Sequence, residues 1–196
     1  MLQTQRLILR DWQPTDIEHF AQMNADAEVM KYFPATLSRQ ESEGLFERIQ
    51  NHHQTHGFGW WAVEEQGTGT FIGFIGLSVP TFQAHFTPAV EVGWRLARAF
   101  WGKGYATEGA RKAISYGFEV IGLTEIVSFT AQSNLRSIAV MKRLGMTHQE
   151  ADNFDHPSLP SGHPLQRHVL YRIVTKSYSN KSRLTTPFLE QTAKTC

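Results

Sequence analysis

The chain has very little cysteine and no long apolar run. Its 196 residues contain one cysteine, Cys196, at the last position. This excludes an internal disulfide framework and a cysteine nucleophile in the core, and it favours a reducing compartment. The longest apolar run, residues 71–79, is short and broken by glycine, and residues 1–6 have no apolar core typical of a signal peptide. We therefore expect a cytoplasmic protein that binds no membrane.

The chain also lacks an excess of charge of either sign. Nineteen basic and eighteen acidic residues give a formal net charge of +1. No overall field favours nucleic acid as a partner. His52, His53 and His56 lie close in sequence, but no matching carboxylate or cysteine pattern accompanies them. We expect neither a nucleic-acid partner nor a metal.

A short glycine turn joins a strand-like run, Ala89 to Leu96, to a helix-like run, Tyr105 to Val120. Its glycines, Gly102 and Gly104, permit the φ angles of a tight turn and leave room for a phosphate group. The backbone N–H groups that follow, together with the positive end of the helix dipole, attract negative charge. Such glycine pairs are also common in ordinary turns, and this one completes neither the dinucleotide fingerprint nor the Walker loop. The context nevertheless favours a pyrophosphate site.

This turn resembles, residue by residue, the acetyl-CoA pyrophosphate loop of the GNAT N-acetyltransferases, whose pattern is Gln/Arg-x-x-Gly-x-Gly/Ala. It matches as Trp101-x-x-Gly104-x-Ala106, with tryptophan at the first position. The form Trp-Gly-x-Gly-Tyr-Ala-Thr-Glu is similar to that of the branch related to ribosomal-protein alanine acetyltransferases. The resemblance covers roughly residues 4–176 and implies an acetyl-CoA-dependent N-acetyltransferase.

The predicted elements follow the order β-α-α-β-β-β-α-β-α-β-β, which indicates an α/β fold with a mixed sheet. The resemblance implies a mostly antiparallel sheet of about seven strands flanked by four helices. We expect one domain over residues 1–176 and a polar, flexible tail over residues 177–196. In detail, we expect the first helix to end near Met30, a bulge at Gly93, and a strand from Met146 to Phe154.

Short motifs predict further local structure. Ser38 and Glu41 have the spacing of a capping box at the start of the second helix. The runs 60–63 and 71–77 flank a glycine-rich turn and predict a β-hairpin, with Trp60 expected in the core. Asn134 and Gly145 are placed to begin and to end the last helix.

The resemblance also implies which residues hold acetyl-CoA. The backbone at Trp94, Arg95 and Leu96 is expected to bind the pantetheine arm, and the N–H near Leu96 to polarise the thioester carbonyl. Asn134 matches the family asparagine that hydrogen-bonds that arm, although asparagine is also a common helix cap. The loop residues expected at the pyrophosphate are Gly102, Lys103, Gly104, Tyr105, Ala106 and Thr107.

Four residues are candidates for a role in the reaction. Met141 occupies the position where many GNAT enzymes have a tyrosine that protonates the thiolate, so Ser137, which matches an Asn-x-x-Ser arrangement, is the candidate acid, with water as the alternative. Glu91 is the candidate base, because it lies on the strand that enters the site; a structural pair with Arg95 is the alternative. Tyr171 and His168, on the last strand, are weaker candidates to contact the acceptor.

The expected reaction is acetyl transfer to a primary amine by direct attack in a ternary complex. The sequence does not identify the acceptor, so a protein N-terminus, an aminoglycoside, an amino acid and a polyamine all stay open, as do a monomer and a homodimer. Two other classes stay open as well. One is an acyl-CoA sensor without turnover, and the other is a nucleotide-binding module.

Overall fold

One sheet of nine strands and four α-helices is formed by residues 1–175 and 178, the part of the chain that the computed structural model describes. The helices are α1 (Asp16–Ala25), α2 (Arg39–His56), α3 (Tyr105–Tyr116) and α4 (Leu135–Leu144). The strands are β1 (Leu2–Gln3), β2 (Leu7–Arg10), β3 (Trp60–Glu65), β4 (Thr70–Ser78), β5 (Glu91–Leu96), β6 (Glu125–Ala131), β7 (Thr147–His148), β8 (Phe154–Asp155) and β9 (Arg167–Val174).

The sheet is mostly antiparallel, as expected. Its order is β1-β2-β3-β4-β5-β6-β9-β7, with β8 also paired to β9, and only the β5–β6 pair is parallel within the described residues. The mixed α/β class and the four helices are confirmed. Nine strands replace the expected seven or so. One is β1, which has two residues and is too short to produce an alternating pattern, and the other arises because one expected strand is divided into the two-residue strands β7 and β8.

The two faces of the sheet bury separate cores. One face packs against α3 and α4, through buried residues such as Ile75, Ile114 and Met141. The other face packs against α1 and α2, through Phe20 and Phe74 among others. Side chains alternate between the faces along each strand. Each strand residue near the glycine turn is therefore assigned to one face by its position alone.

The start and end of α2 follow from its sequence. Ser38 and Glu41 form the predicted capping box, each binding the backbone N–H of the other, and Gly57 ends the helix in a left-handed conformation.

His52 and His53, near the end of α2, do not extend freely into solvent. His52 Nε2 accepts the Val79 N–H at 3.0 Å, while the ring of His53 bonds the backbone of β3. These histidines attach α2 to the sheet.

Two predicted boundaries are wrong. Helix α1 ends at Ala25 rather than near Met30, because the Asp26 carboxylate accepts the Glu28 N–H at 2.8 Å and forms a turn instead. The expected strand from Met146 to Phe154 is divided into β7 and β8 by a 3₁₀ turn. The period-2 pattern does not reveal this interruption.

The predicted bulge at Gly93 is also wrong. The pairing of β5 with β4 is uninterrupted from Glu91 to Leu96, and the register shift occurs on β3, between Val63 and Glu64. Glycine at position 93 instead leaves room for a neighbouring side chain. A Cβ atom there would lie 3.2 Å from Nε1 of Trp60, so the indole ring packs directly on the strand backbone.

Most of the expected tail, residues 177–196 with Cys196, lies outside the described residues, as does Lys176 at the end of the expected domain. The described helices include none that is both long and apolar enough to cross a bilayer.

Candidate active site

The parallel strands β5 and β6 separate soon after they meet. Their registered pair is Glu91 with Val127, and the Val127 N–H donates to the Val90 carbonyl at 2.9 Å. Beyond this point β5 continues to Leu96 and β6 to Ala131 with no further registered pair between them. A gap therefore opens between the carboxyl-terminal halves of the two strands.

The backbone of β5 presents hydrogen-bonding groups to this gap. The Ala97 N–H donates to the carbonyl of Ile72 in β4 at 2.9 Å. Because inter-strand bonds alternate along an antiparallel pair, the polar backbone groups of Trp94 and Leu96 point the other way, into the gap. An extended ligand arm in the gap can bond to them as an additional strand does.

The glycine turn leads from the end of β5 into α3. Gly102 and Gly104 both have positive φ, +75° and +82°, and Gly104 is the N-cap of α3. No side chain caps α3. The Glu108 N–H donates the first hydrogen bond of the helix, to the Gly104 carbonyl. The N–H groups of Tyr105, Ala106 and Thr107 are therefore available to an anion, as the geometry of a helix start requires.

Trp101 fixes the turn to the end of β5. Its indole Nε1 donates to the Leu96 carbonyl at 2.8 Å. The guanidinium of Arg136, at the start of α4, lies 4.6 Å from the centre of the Trp101 ring. The tryptophan at the first position of the loop pattern thus connects β5, the turn and α4.

Basic side chains surround the same end of the cleft. Lys103, Arg111, Lys112, Arg136 and Arg143 all line it. Arg6 lies beside them, but it is occupied by an ion pair with Glu108 and by a bond to the Lys103 carbonyl. The cations on α3 and α4 make this end suited to a multiply charged anion such as a phosphate-bearing ligand.

Asn134 caps α4 and also binds its neighbours. Its Oδ1 accepts the Ser137 N–H at 3.2 Å, while its Nδ2 donates to Ser137 Oγ at 3.1 Å and to Thr130 Oγ1 at 3.0 Å. Ser137 Oγ accepts in this contact, so its own O–H points elsewhere. Both residues line the cleft. The capping role of Asn134 is thus present in the free protein.

Glu91 lies on the floor of the cleft, where β5 and β6 are still paired. Glu91 is half-buried, because the open cleft reaches it. Protein atoms nevertheless surround it closely. This burial raises the pKa of Glu91 to about 8. The alternative to a role as base, an ion pair with Arg95, does not form among the described residues; Arg95 instead donates to Asn24 Oδ1 at 2.6 Å. The carboxyl group of Glu91 is therefore mostly protonated at pH 7, and its ionised fraction is a stronger base than an ordinary carboxylate.

A model of the acetyltransferase (GNAT) domain matches residues 6–147, a range that contains the gap, the turn, Glu91 and Asn134. The chain belongs to the GNAT acetyltransferase family. Membership implies acetyl transfer from acetyl-CoA to an amine and leaves the acceptor unidentified. The match ends before β9, so the family model does not cover Tyr171 or His168.

A relative and two solved structures illustrate the similarity. An "FsC-acetyl coenzyme A-N(2)-transacetylase" of Aspergillus fumigatus is 35% identical over 71% of this chain, a match that spans 63% of the relative's length. A spermidine N-acetyltransferase from Vibrio cholerae, solved with CoA and spermine, is 20% identical with a TM-score of 0.71, over 90% of this chain and all of that one (100%). A ribosomal L7/L12 alpha-N-protein acetyltransferase, solved with CoA, is 16% identical with a TM-score of 0.69. The match covers 87% of this chain and 95% of that one. At these identities the two structures show the shared fold alone.

One cleft of about 2050 Å³ in this GNAT domain contains nearly all the residues singled out from the sequence. These are Glu91, Trp94, Arg95, Leu96, Gly102, Lys103, Gly104, Tyr105, Ala106, Thr107, Asn134 and Ser137. Tyr171 is not among its lining residues. It is 5% exposed, packs in the core beside α3 and α4, and stacks on His148 with ring centres 5.0 Å apart. Burial raises the pKa of Tyr171, so it is a poor source of negative charge.

His168, by contrast, lines the GNAT cleft opposite α3 and α4. Its ring lies 5.0 Å from that of His156, and burial lowers the pKa of both, that of His156 to about 4. Both imidazoles are therefore neutral at pH 7. No group of three or more metal-ligating side chains is close enough to hold an ion within residues 1–175 and 178.

The sequence reasoning missed two features of the cleft. The sequence indicated only a backbone contact at Arg95 and a core position for Trp60. Both side chains instead line the cleft, on the same face of the sheet as Glu91. The alternation of β5 carries this signal, because residues 91, 93 and 95 share one face. The sequence reasoning also overlooked the arginines of α3 and α4, which follow no motif.

Proposed function

We propose that this protein transfers the acetyl group of acetyl-CoA to a primary amine by direct attack in a ternary complex. The observation that carries the proposal is the position of Glu91, which lies on the same strand that offers its backbone to the gap and leads to the helix start at Gly104. A cofactor arm along that strand brings its thioester near the carboxyl group.

Cofactor binding rests on backbone groups. The N–H groups at the start of α3 are suited to the pyrophosphate, with Lys103 and Arg136 supplying nearby positive charge. The backbone of Trp94 and Leu96 is suited to the amide groups of pantetheine. The donors and cations thus fit a phosphate-bearing ligand with an amide-rich arm, which is the chemistry of CoA.

In its ionised form, the minor fraction at pH 7 given a pKa of about 8, Glu91 is proposed to accept the proton of the incoming ammonium, directly or through one water molecule. The neutral amine nitrogen then attacks the thioester carbonyl, whose oxygen accepts a backbone N–H that β5 exposes to the gap as negative charge develops. Trp94 is better placed for this than the expected Leu96, which is five residues, or ~16 Å, from Glu91 along the strand. The carbon–sulfur bond breaks and the amide forms as the nitrogen loses its second proton, which passes by way of Ser137 or water to the thiolate; Glu91 releases the first proton to solvent before the next turnover. A carboxyl group with a pKa of about 8 is well matched to an amine of ordinary basicity.

The leaving thiolate takes a proton from Ser137 or from water. The Ser137 O–H is free to donate, because its oxygen already accepts from Asn134. Met141 is fully buried in the core and has no acidic proton, so it does not replace the family's tyrosine. We therefore propose that Ser137 assists, without being essential.

The acceptor enters from the side of α1 and α2, where the cleft is lined by aromatic rings and by His168. A small-molecule amine and a protein N-terminus are both proposed acceptors at this stage. Tyr171 is given no part, since it packs on the opposite face of the sheet.

The proposal is tested with a panel of amines, acetyl-CoA and the purified chain. Thiol release and acetylated amine are measured together, the amine by mass spectrometry, while thermal shifts are recorded with CoA and with ATP. We expect acetylated product for at least one amine and stabilisation by CoA alone. Stabilisation by CoA without any product would indicate an acyl-CoA sensor, and equal stabilisation by ATP a nucleotide-binding module.

A further inference from the structure

Two buried hydrogen-bond donors in the cleft have no partner. Among the described residues, Nε of Arg95 and Nε1 of Trp60 are the buried side-chain polar atoms that form no hydrogen bond. Both residues line the cleft on the face that carries Glu91. Buried donors are nearly always satisfied in native proteins, so two together at one ligand cleft indicate a missing acceptor group.

Arg95 also has no negatively charged partner in the part of the chain described. Its guanidinium lies between two aromatic rings, 4.1 Å from the centre of Phe33 and 5.2 Å from that of Phe74, and its one bond goes to the neutral amide of Asn24. Burial lowers the pKa of Arg95 to about 10, which still leaves it charged at pH 7. An enclosed cation without a counter-ion is costly unless a ligand supplies one.

Asn24 keeps this guanidinium in place. Its Nδ2 donates to the buried Ser42 Oγ of α2 at 3.2 Å, so its oxygen is directed at Arg95. The planar guanidinium is thus held by α1 on one side and by aromatic faces on the others. Arginine in such a fixed orientation is suited to paired hydrogen bonds with a carboxylate.

The positions of the two side chains along β5 set an upper limit on the distance between the two ends of the acceptor. The Cα atoms of Glu91 and Arg95 are four residues, or ~13 Å, apart in an extended strand, and the two side chains, which project from the same face, shorten the distance that a ligand has to span. The Trp60 indole packs over Gly93, midway between them. An amine at Glu91 and a carboxylate at Arg95 therefore belong to different carbons of the acceptor, several bonds apart.

We infer that the acceptor amine carries a carboxylate several bonds away, which Arg95 and the Trp60 indole bind while the amine lies at Glu91. This inference rests on the proposed acetyl transfer. Two sources supply such chemistry, a free amino acid with a side-chain amine and a peptide N-terminus followed by an acidic residue. A polyamine has the wrong charge for Arg95.

The test compares matched acceptors with and without the carboxylate. ε-Aminocaproate is paired with ε-aminocaproamide, and a peptide with acidic second residue is paired with the same peptide carrying glutamine there. We expect kcat/KM to be ~10- to 100-fold higher for the charged member of one pair, as for a lost charge-assisted hydrogen bond. The pair that responds identifies the source.

Two variants assign this preference to the cleft. Arg95→Met keeps the aliphatic packing and removes the charge, and Trp60→Phe removes only the indole donor and some ring area. We expect both to raise KM for the carboxylate acceptor and to leave CoA affinity within twofold. Arg98→Met, at an exposed arginine of the same region, is the matched control and is expected to change neither.

Binding is measured independently of turnover as a thermal shift with CoA present. The inference is overturned if both members of each pair react equally, or if Arg95→Met retains the preference. Acetylation of no amine at all would overturn the proposed function itself, whereas a CoA complex stabilised by ε-aminocaproate but not by its amide would still support the carboxylate site.

Discussion

The indole nitrogen of Trp101 donates to the carbonyl of Leu96 at 2.8 Å, which joins the glycine turn to the end of the strand β5. This bond explains why a tryptophan serves at the loop position where the family pattern has glutamine or arginine. It holds the turn against the strand edge while Arg136 packs on the outer face of the ring. The pyrophosphate and pantetheine sites are thereby fixed relative to each other.

Trp101→Phe is expected to lower stability by about 1 kcal/mol, the value of one hydrogen bond, and to weaken CoA binding several-fold because the turn is less firmly held. Chemical denaturation and calorimetric titration with CoA measure the two effects. An unchanged CoA affinity would mean that the turn keeps its shape without this bond.

Gly104→Val tests the helix start as the pyrophosphate site. The positive φ of Gly104 disfavours any side chain, so the variant loses about 1–2 kcal/mol of stability, and the added atoms block the anion. Gly122→Val is the control. Gly122 has nearly the same φ, +81°, follows the π-helical turn Gly117–Ile121, and lies outside the cleft. Both variants should lose similar stability in thermal scans. Only Gly104→Val should lose the stabilisation by CoA; its retention there would place the pyrophosphate elsewhere.

Asn134 is expected to have both a capping and a binding role, and two substitutions separate them. Asn134→Ala removes the cap and should cost about 1 kcal/mol of stability, while Asn134→Asp keeps the capping oxygen and loses the Nδ2 donor. We expect Asp to restore stability but not CoA affinity. Full recovery of affinity with Asp would assign Asn134 to capping alone.

The raised pKa of Glu91 makes the stability of the protein depend on pH. The carboxyl group titrates near 4.5 when unfolded and at about 8 when folded, so between these values the folded state holds the extra proton. Its contribution to stability therefore falls as pH rises through this window. Glu91→Gln removes the titration, and its melting temperature relative to the unsubstituted protein should rise from pH 5 to pH 8. Parallel curves would show that Glu91 ionises normally.

Tyr171→Phe is expected to leave turnover within about twofold of the unsubstituted protein. Tyr171 packs in the core on the face opposite Glu91 and does not line the cleft, so its hydroxyl has no path to the acceptor. Steady-state rates with one active acceptor measure this. A fall of tenfold or more, with stability retained, would restore Tyr171 as a participant in the reaction.

Local signals in the sequence predicted much of the fold. The capping box at Ser38 and Glu41, the hairpin of β3 and β4, and the caps of α4 at Asn134 and Gly145 all rest on interactions within a few residues. The loop motif predicted the family. What failed depended on partners distant in sequence, such as the role of Gly93, which is decided by Trp60.

The candidate site likewise combines features that the local sequence predicts with features that depend on distant partners. The positions of Glu91, Asn134 and the turn follow from a strand, a cap and a motif. The partner that Arg95 does have, Asn24, could not be predicted, because it lies 71 residues away in the sequence. The burial that raises the pKa of Glu91 likewise comes from tertiary packing.

The most direct test of the account is the rate of amine acetylation by Glu91→Gln, with CoA affinity measured on the same preparation. The account predicts near-normal CoA binding, a rate lowered by ~10²–10⁴-fold at pH 7, and partial recovery at higher pH, where more of the amine is free. A variant that binds CoA and acetylates the amine at the normal rate would contradict the assignment of Glu91 as the base.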